Sequence, residues 1–367
     1  MKPIVFSAHV NDVFAKNEID YAELKNLMFD LVHGNEIFDE VTGRVISKSE
    51  ANDKLRKISR EIFGLSENPT RRDRNRAFRD HGREYMDLIE EVIDNEVTVG
   101  LQANDFFQSY VDYHNIAMGD AMEFVSEDDC VLIVGKVGVS HHDIILQTLG
   151  EGESYTVPTA RYAVAVGTDI DRFILGQVDW TTLVAKVAEA FAKHILELAY
   201  ANVLSASAAL PAAFKGSGAL VKTDFDAIID NVEALGNDAV IFGTKPALRN
   251  LGSIVDINYI ASSQKESVAS TGLIGWYDGC GLVRIPNRFE DKTLSNKVFD
   301  DKTILILPIS GDGKLVSMID EGETEINEVT DKGEVNGRID DIKKYEAQRT
   351  YGAAVKTGKK FGAWTLP

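Results

Sequence analysis

Along the first hundred positions apolar residues recur at steps of three and four, the period of a helix with one buried face. Leu24, Leu27, Met28, Leu31 and Val32 form one such stripe, with Asp20 where an N-cap belongs and Gly34 where a left-handed C-terminal residue belongs. Residues 39–45, with Thr42-Gly43 at their centre, read as a hairpin. Ser49 then caps a second helix carrying Leu55, Ile58 and Ile62 on one side, and Asn68-Pro69 breaks the chain. The spacing of Phe78, Tyr85, Leu88, Ile89, Val92 and Ile93 predicts a third helix over residues 71–97.

From Cys130 to Phe173 the helical period disappears. Residues 131–139, 154–157 and 162–166 read as strands separated by Gly135, Gly138, Gly150 and Gly152, and their simplest shape is a long two-stranded excursion. A lone ribbon of this kind is marginal in water, so it is expected to lie on something else, such as another subunit. Asp179 opens the clearest helix, in which Leu183, Val184, Val187, Phe191, Ile195 and Leu198 recur to about Ser205, a rod of ~40 Å. Beyond Thr223 the elements alternate: a helix over 224–235, a strand over 239–242, a helix after Pro246, a glycine-rich stretch, and strands at 282–285 and 303–309. Residues 311–346 read as a solvated strand-and-loop region. Residues 349–365 read as a terminal hairpin turned at Thr357-Gly358, with Tyr351, Phe361 and Trp364 available for packing. The fold class is α+β.

Composition narrows the function. The 367 residues allow two or three domains, and 44% hydrophobic with 8% aromatic content excludes wholesale disorder. With 58 acids against 39 Lys plus Arg, the net charge of -19 argues against a general binder of nucleic acid or of anionic membranes. Cys130 and Cys280 make at most one bridge, so the pair reads as small core residues of a reducing compartment. The start of the chain lacks a secretory h-region, and no apolar stretch reaches the ~20 residues of a bilayer helix, so the expected site of action is the cytoplasm where the chain is made.

The third helix has an unusual charge order. Arg71, Arg72, Arg74, Arg76, Arg79 and Arg83 crowd its start, and Glu84, Asp87, Glu90, Glu91, Asp94 and Glu96 crowd its end. That order opposes the helix dipole, so something outside the helix must compensate. The arginines are candidates for docking against acidic surfaces of neighbouring subunits or against nucleic acid. The competing reading, which composition alone favours, is a solvated face with internal pairs such as Asp80 with Arg83 or Arg76.

Catalytic signatures are missing: there is no G-x-S-x-G elbow, H-E-x-x-H, paired C-x-x-C, Walker loop or G-x-G-x-x-G after a strand. Gly311-Asp312-Gly313-Lys314 reads as a turn, without the helix that a phosphate cradle requires. His141-His142-Asp143 is the one metal-like cluster, but adjacent strand residues point to opposite faces, so it reads as an exposed loop. Lys136 and Lys314 would be reactive only if desolvated. No catalytic, cofactor or metal residue is assigned.

Four runs in the second half carry a resemblance. These are residues 238–248, with Ile241-Phe242-Gly243-Thr244-Lys245-Pro246 at their centre; residues 270–287, with Gly275-Trp276-Tyr277-Asp278-Gly279-Cys280-Gly281; residues 301–308; and residues 348–355 followed by Phe361-Gly362. In this order and spacing, over roughly residues 130–367, the sequence resembles the major capsid proteins of tailed bacteriophages, whose fold is shared by encapsulins and herpesvirus capsid floors. The resemblance implies a helical N-terminal arm (1–110), an extended loop with flanking strands (111–170), a peripheral domain with a long spine helix (171–215), an axial domain (216–295) and return strands of the peripheral domain (296–367). The first 110 residues match no family pattern and read as an enlarged arm clamping neighbouring subunits.

What the resemblance implies for function is a non-enzymatic head protein that assembles with itself as pentamers and hexamers into an icosahedral shell around double-stranded DNA. Portal, scaffold and decoration proteins would be further partners, the DNA contacts would be weak, no membrane would be involved, and the chain would end in the virion after assembly in the host cytoplasm. Gly272, Gly275, Gly279 and Gly281 would permit tight turns near the axial surface. An isopeptide link of the family's kind would need a lysine and an asparagine such as Lys136 and Asn336, which no motif identifies. The alternatives are an encapsulin-like shell around a cargo protein and, from a different class, a metal-assisted intracellular hydrolase using His141, His142 and Asp143.

Overall fold

A computed structural model describes residues 21–38, 44–66, 69–126, 153–167, 180–235, 238–255, 268, 272–287, 289, 294–295, 297–309, 314–330, 343–356 and 360–367. Helix α1 (Tyr21–His33) buries Leu24, Met28 and Leu31 and ends at Gly34 with φ +85°. Strands β1 (Ile37–Phe38) and β2 (Val45–Ile46) pair antiparallel on either side of the predicted turn, whose centre lies outside the described residues, as does Asp20.

Helix α2 (Lys48–Ile62) is capped by Ser47 and not by Ser49. Ser47 has Glu50 three residues on, so its hydroxyl accepts the Glu50 amide while the Glu50 carboxylate accepts the Ser47 amide. Ser49 has Asn52 in that position and cannot complete the exchange as well. Helix α3 (Arg71–Gln102) begins with a second capping box, Thr70 with Asp73, and runs past its predicted end because Val97 and Leu101 continue the buried stripe.

A short helix α4 (Asp105–Tyr110) leads into β3 (Val111–Ile116), and β4 (Glu123–Ser126) follows; the alternation predicted neither strand. Strand β5 (Glu153–Thr156) pairs antiparallel with β4, while β6 (Ala160–Gly167) joins a different sheet. The described part of the expected excursion is therefore the β4–β5 ribbon, and residues 127–152, including predicted strand 131–139, lie outside the described residues. Helix α5 (Trp180–Ser207) is the predicted rod, ~42 Å long at 1.5 Å per residue.

Beyond α5 the strands and α-helices among the described residues are β7 (Lys215–Ser217), α6 (Lys222–Glu233), β8 (Ala239–Thr244), α7 (Lys245–Arg249), β9 (Trp276–Tyr277), β10 (Cys280–Ile285), β11 (Thr303–Pro308), β12 (Val316–Thr330), β13 (Lys343–Val355) and β14 (Gly362–Thr365). Two of these overturn the sequence reading. Residues 311–346 are not merely solvated, because β12 runs through the core with Leu315, Val316, Ser317, Met318, Ile319 and Asp320 all buried. Residues 349–365 are not a hairpin: β13 pairs with β12 and β6, whereas β14 pairs with β11 and β7 in another sheet.

The main sheets have strand orders β3-β12-β13-β6 and β7-β14-β11-β8-β10-β9. In the second, β8 and β11 are nearly continuous apolar runs because both faces are covered. Ile241, Ile304 and Ile306 turn toward Phe225, Ile228 and Ile229 of α6, while Phe242, Leu305 and Leu307 join the larger core. There Phe242 meets Phe106 and Tyr110 edge-on, with ring centroids 5.6 and 5.3 Å apart.

The first sheet is likewise sandwiched. Val316, Met318, Tyr351 and Ala353 face α3 and α5 in the larger core, and Ile319 packs on Phe124 of β4 and on Val157. Residues of α1 to α4 thus share one core with α5, β12 and β13, so this region is built into the body of its own chain. No helix among the described residues is long and apolar enough to cross a membrane.

Candidate functional site

Helix α3 organises the charged chemistry. Its basic start places Arg72, Arg76 and Arg83 at the surface; the side chains of Arg71, Arg74 and Arg79 lie outside what the structure describes. Arg83 turns toward the acidic half instead of toward Asp80. Its Nε is 2.9 Å from Asp87 Oδ1, its Nη2 is 3.7 Å from Glu90, and its Nη1 donates to the Ile326 carbonyl at 3.5 Å. The sequence expectation of internal pairing holds in kind, with a different partner.

The acidic half of α3 is compensated from outside the helix. Lys25 of α1 lies 3.4 Å from Glu91, and His33 lies 3.5 Å from Glu96. Glu90 and Asp94, one turn apart on one face, reach strand β12: Glu90 accepts the Ile326 amide at 2.6 Å, and Asp94 accepts the Thr324 amide at 3.3 Å and its hydroxyl at 2.5 Å. These amides are open to the helix because β3 pairs with β12 only as far as Glu321, after which a bulge shifts the register between Glu321 and Glu325. Gly322 supplies the turn of backbone there, at φ +81°. Two carboxylates of a helix thus take the place of a neighbouring strand's carbonyls.

Arg349 of β13 ties the junction together. Its Nη1 donates to Asp94 at 2.6 Å and to Thr324 Oγ1 at 3.2 Å, and its Nε and Nη2 grip Asp320, which also accepts the Tyr113 hydroxyl at 2.5 Å. Asp320 is 0% and Arg349 3% exposed, so this is an ion cluster removed from water. Burial opposes the Arg349 charge, but the hydrogen bonds to Asp320 and the charges of Asp94 and Asp320 outweigh it and hold its pKa above the ordinary value. Burial pushes Asp94 up, against the pull of Arg349 and Thr324. Burial also pushes Glu90 up to about 7, against the Ile326 amide and Arg83.

The sequence reading missed this cluster, although it left a signal. In Val316-Ser317-Met318-Ile319-Asp320 the period of two puts Asp320 on the same face as Val316 and Met318, where a carboxylate requires a cationic partner.

The remaining candidates disperse. His141, His142, Asp143, Lys136, Asn336 and Cys130 lie outside the described residues, and no group of three or more metal-ligating side chains occurs among the described ones. Lys314 donates to the Val111 carbonyl at 2.8 Å. Cys280 is buried, its thiol pushed up to about 12 by burial and by the charge of Glu233. Gly272 and Gly279 take φ +74° and +83°, as tight turns require, and between them Trp276 stands 61% exposed on edge strand β9.

No curated protein matches the sequence. Solved structures similar to the chain include the mature capsid of bacteriophage PhiM1 (13% identity, 72% of this chain and 87% of that one, TM-score 0.46). The satellite phage P4 procapsid is similar at 10% identity over 74% and 90% of the two chains (TM-score 0.45). The SrpI encapsulin complex of Synechococcus elongatus is similar at 12% identity over 69% and 84% (TM-score 0.40). A family model described as "SPbeta prophage-derived putative capsid protein YonB" matches residues 23–365. With nearly its whole length matched, the chain belongs to this family of prophage-derived capsid proteins.

Proposed function

We propose that the chain is the major subunit of a phage-type head, associating with copies of itself as pentamers and hexamers in an icosahedral shell that encloses double-stranded DNA. The observation that carries this reading is the family match over residues 23–365. Membership assigns a structural role and a place in the virion; assembly in the host cytoplasm, with portal, scaffold or decoration proteins as partners, extends that assignment. Residues 1–110 act as the N-terminal helical arm, 111–170 as the extended loop with its flanking strands, 171–215 and 296–367 as the peripheral domain, and 216–295 as the axial domain. Trp276 at its sheet edge and the basic start of α3 are the surfaces offered to neighbouring subunits.

The physical basis is distributed burial, many modest contacts repeated over a closed shell. Negative-stain microscopy of the expressed protein, with nucleic acid and protein content measured in purified particles, tests the reading. Closed shells that package DNA when made alongside their phage partners are expected. Shells filled with a cargo protein would point to a nanocompartment instead. Monomers under every salt and pH condition, with a chelator-sensitive hydrolytic activity, would overturn the proposal.

A further inference from the structure

We infer that Glu90 and Asp94 make the docking of α3 on the open edge of β12 a proton-gated latch, tighter in mild acid than in mild alkali. The geometry supplies the latch. Where β3 stops at Glu321, the next inward amides of β12, Thr324 and Ile326, meet no further strand among the described residues and are held by the two carboxylates of α3 instead. Among the described residues the α3 carboxylates that reach β12 are Glu90 and Asp94, beside Arg83 on the Ile326 carbonyl and the apolar face of the helix, so the protonation of these two residues modulates how firmly helix and sheet adhere.

The charges around Glu90 decide the direction. On its own helix it faces Arg83, Asp87 and Asp94; from β12 it meets the Ile326 amide, and the charge that β13 brings to this face is Arg349, already engaged by Asp94 and Asp320. Helix α5 meets α3 through apolar residues such as Val184, Val187, Phe191 and Ile195, and Lys25 and His33 lie against Glu91 and Glu96. The ionised carboxylate therefore sits beside two like charges and one exposed cation, in a place that is largely but not fully buried.

Docking raises the pKa of Glu90 from 4.5 to about 7, so the docked state binds the proton more tightly than the undocked one. The stabilisation is full below the undocked value and is lost as pH climbs through about 7. Burial raises Asp94 as well, but its ion pair with Arg349 favours the ionised form, so the pH response rests on Glu90. Protonated Glu90 still accepts the Ile326 amide through its carbonyl oxygen, so acidification keeps the bond and removes the cost of burying the charge. Above neutrality the cost returns, and the seam between α3 and the sheet edge opens locally more often while the apolar face of the helix stays in the core.

Hydrogen–deuterium exchange on the full chain tests the latch independently of shell assembly. Peptides covering residues 86–97 and 322–328 are followed between pH 6 and pH 8, with intrinsic exchange rates divided out. Linkage predicts that local opening becomes about tenfold more frequent over that interval. Glu90→Gln, which mimics the protonated form, flattens the response at the protected level. Asp87→Asn removes a like charge and shifts the midpoint down, whereas Arg83→Gln removes the cation and shifts it up; both change exposed or half-buried positions and keep the test available should the Glu90→Gln variant misfold. Protection independent of pH, or a midpoint that neither Asp87→Asn nor Arg83→Gln moves, would overturn the inference.

Discussion

Arg349 illustrates how one buried charge can order several elements. Its guanidinium is the cation that faces both Asp94 and Asp320, so truncating it leaves the Asp320 carboxylate with the Tyr113 hydroxyl but no cationic partner in a site closed to water. Arg349→Met is expected to cost about 3–5 kcal/mol, read as a lowered denaturant midpoint, and adding Asp320→Asn should recover part of that loss by removing the orphaned charge. A neutral double variant as unstable as Arg349→Met alone would show that packing, not charge, holds the junction. Gly352 is a second residue with no tolerance. A Cβ there would lie 2.1 Å from the Pro158 carbonyl oxygen and 3.0 Å from Thr159 Cα, both backbone atoms that cannot rotate away. Gly352→Ala should therefore fail to accumulate as folded protein. Gly64→Ala, which meets nothing within 4 Å at φ +60°, should cost only about 1–2 kcal/mol of backbone strain.

Among the elements, α3 is the one whose ends and faces have separate jobs. Its capping box satisfies amides that the basic first turns leave poorly matched to the helix dipole, with Asp73 supplying the one acid of that turn. Thr70→Ala should cost about 1 kcal/mol and raise exchange selectively over residues 71–80, leaving the latch residues near Asp94 protected; uniform loss of protection along α3 would contradict this division. The amphipathic helices were legible in the sequence because Leu24, Met28 and Leu31, or Val184, Phe191 and Ile195, repeat a period that packing against a single core imposes. Strands β8 and β11 were legible for a related reason, since burial on both faces leaves an unbroken apolar run.

Strand β12 was not legible, because beyond Asp320 its acids look like a solvated stretch until α3 is known to lie against it. The two fates of the C-terminal segment were hidden as well: the turn chemistry around Thr357 predicts a reversal, and nothing local says that the strands on either side enter different sheets. Of the candidate site, the arginine cluster was visible as composition. The ion cluster required contacts between residues more than two hundred positions apart, such as Arg349 with Asp94.

For the whole molecule the question is what a chain of net charge -19 does with a concentrated basic segment. Copies of this chain repel one another at long range, so association needs local contacts that overcome a modest electrostatic barrier. Arg72 and Arg76 are exposed at the start of α3, and the proposed role of the cluster is to meet the acidic surface of a neighbouring copy. Replacing Arg71, Arg72, Arg74 and Arg76 together by Gln removes four positive charges from a surface segment, so the chain should still fold while assembly suffers. Because each 1.4 kcal/mol lost per subunit contact changes an association constant tenfold, even two such units of lost attraction should raise the critical concentration for shells about a hundredfold. Light scattering against protein concentration measures this directly. Salt supplies the internal control: at 1 M the screening length falls to about 3 Å, which screens the arginine attraction and the net repulsion alike, so the gap between wild type and variant should close. Unaltered critical concentration and unaltered DNA content would reduce the arginines to a solvated face, and a normal shell with diminished DNA would reassign them from the neighbouring subunit to the packaged polymer.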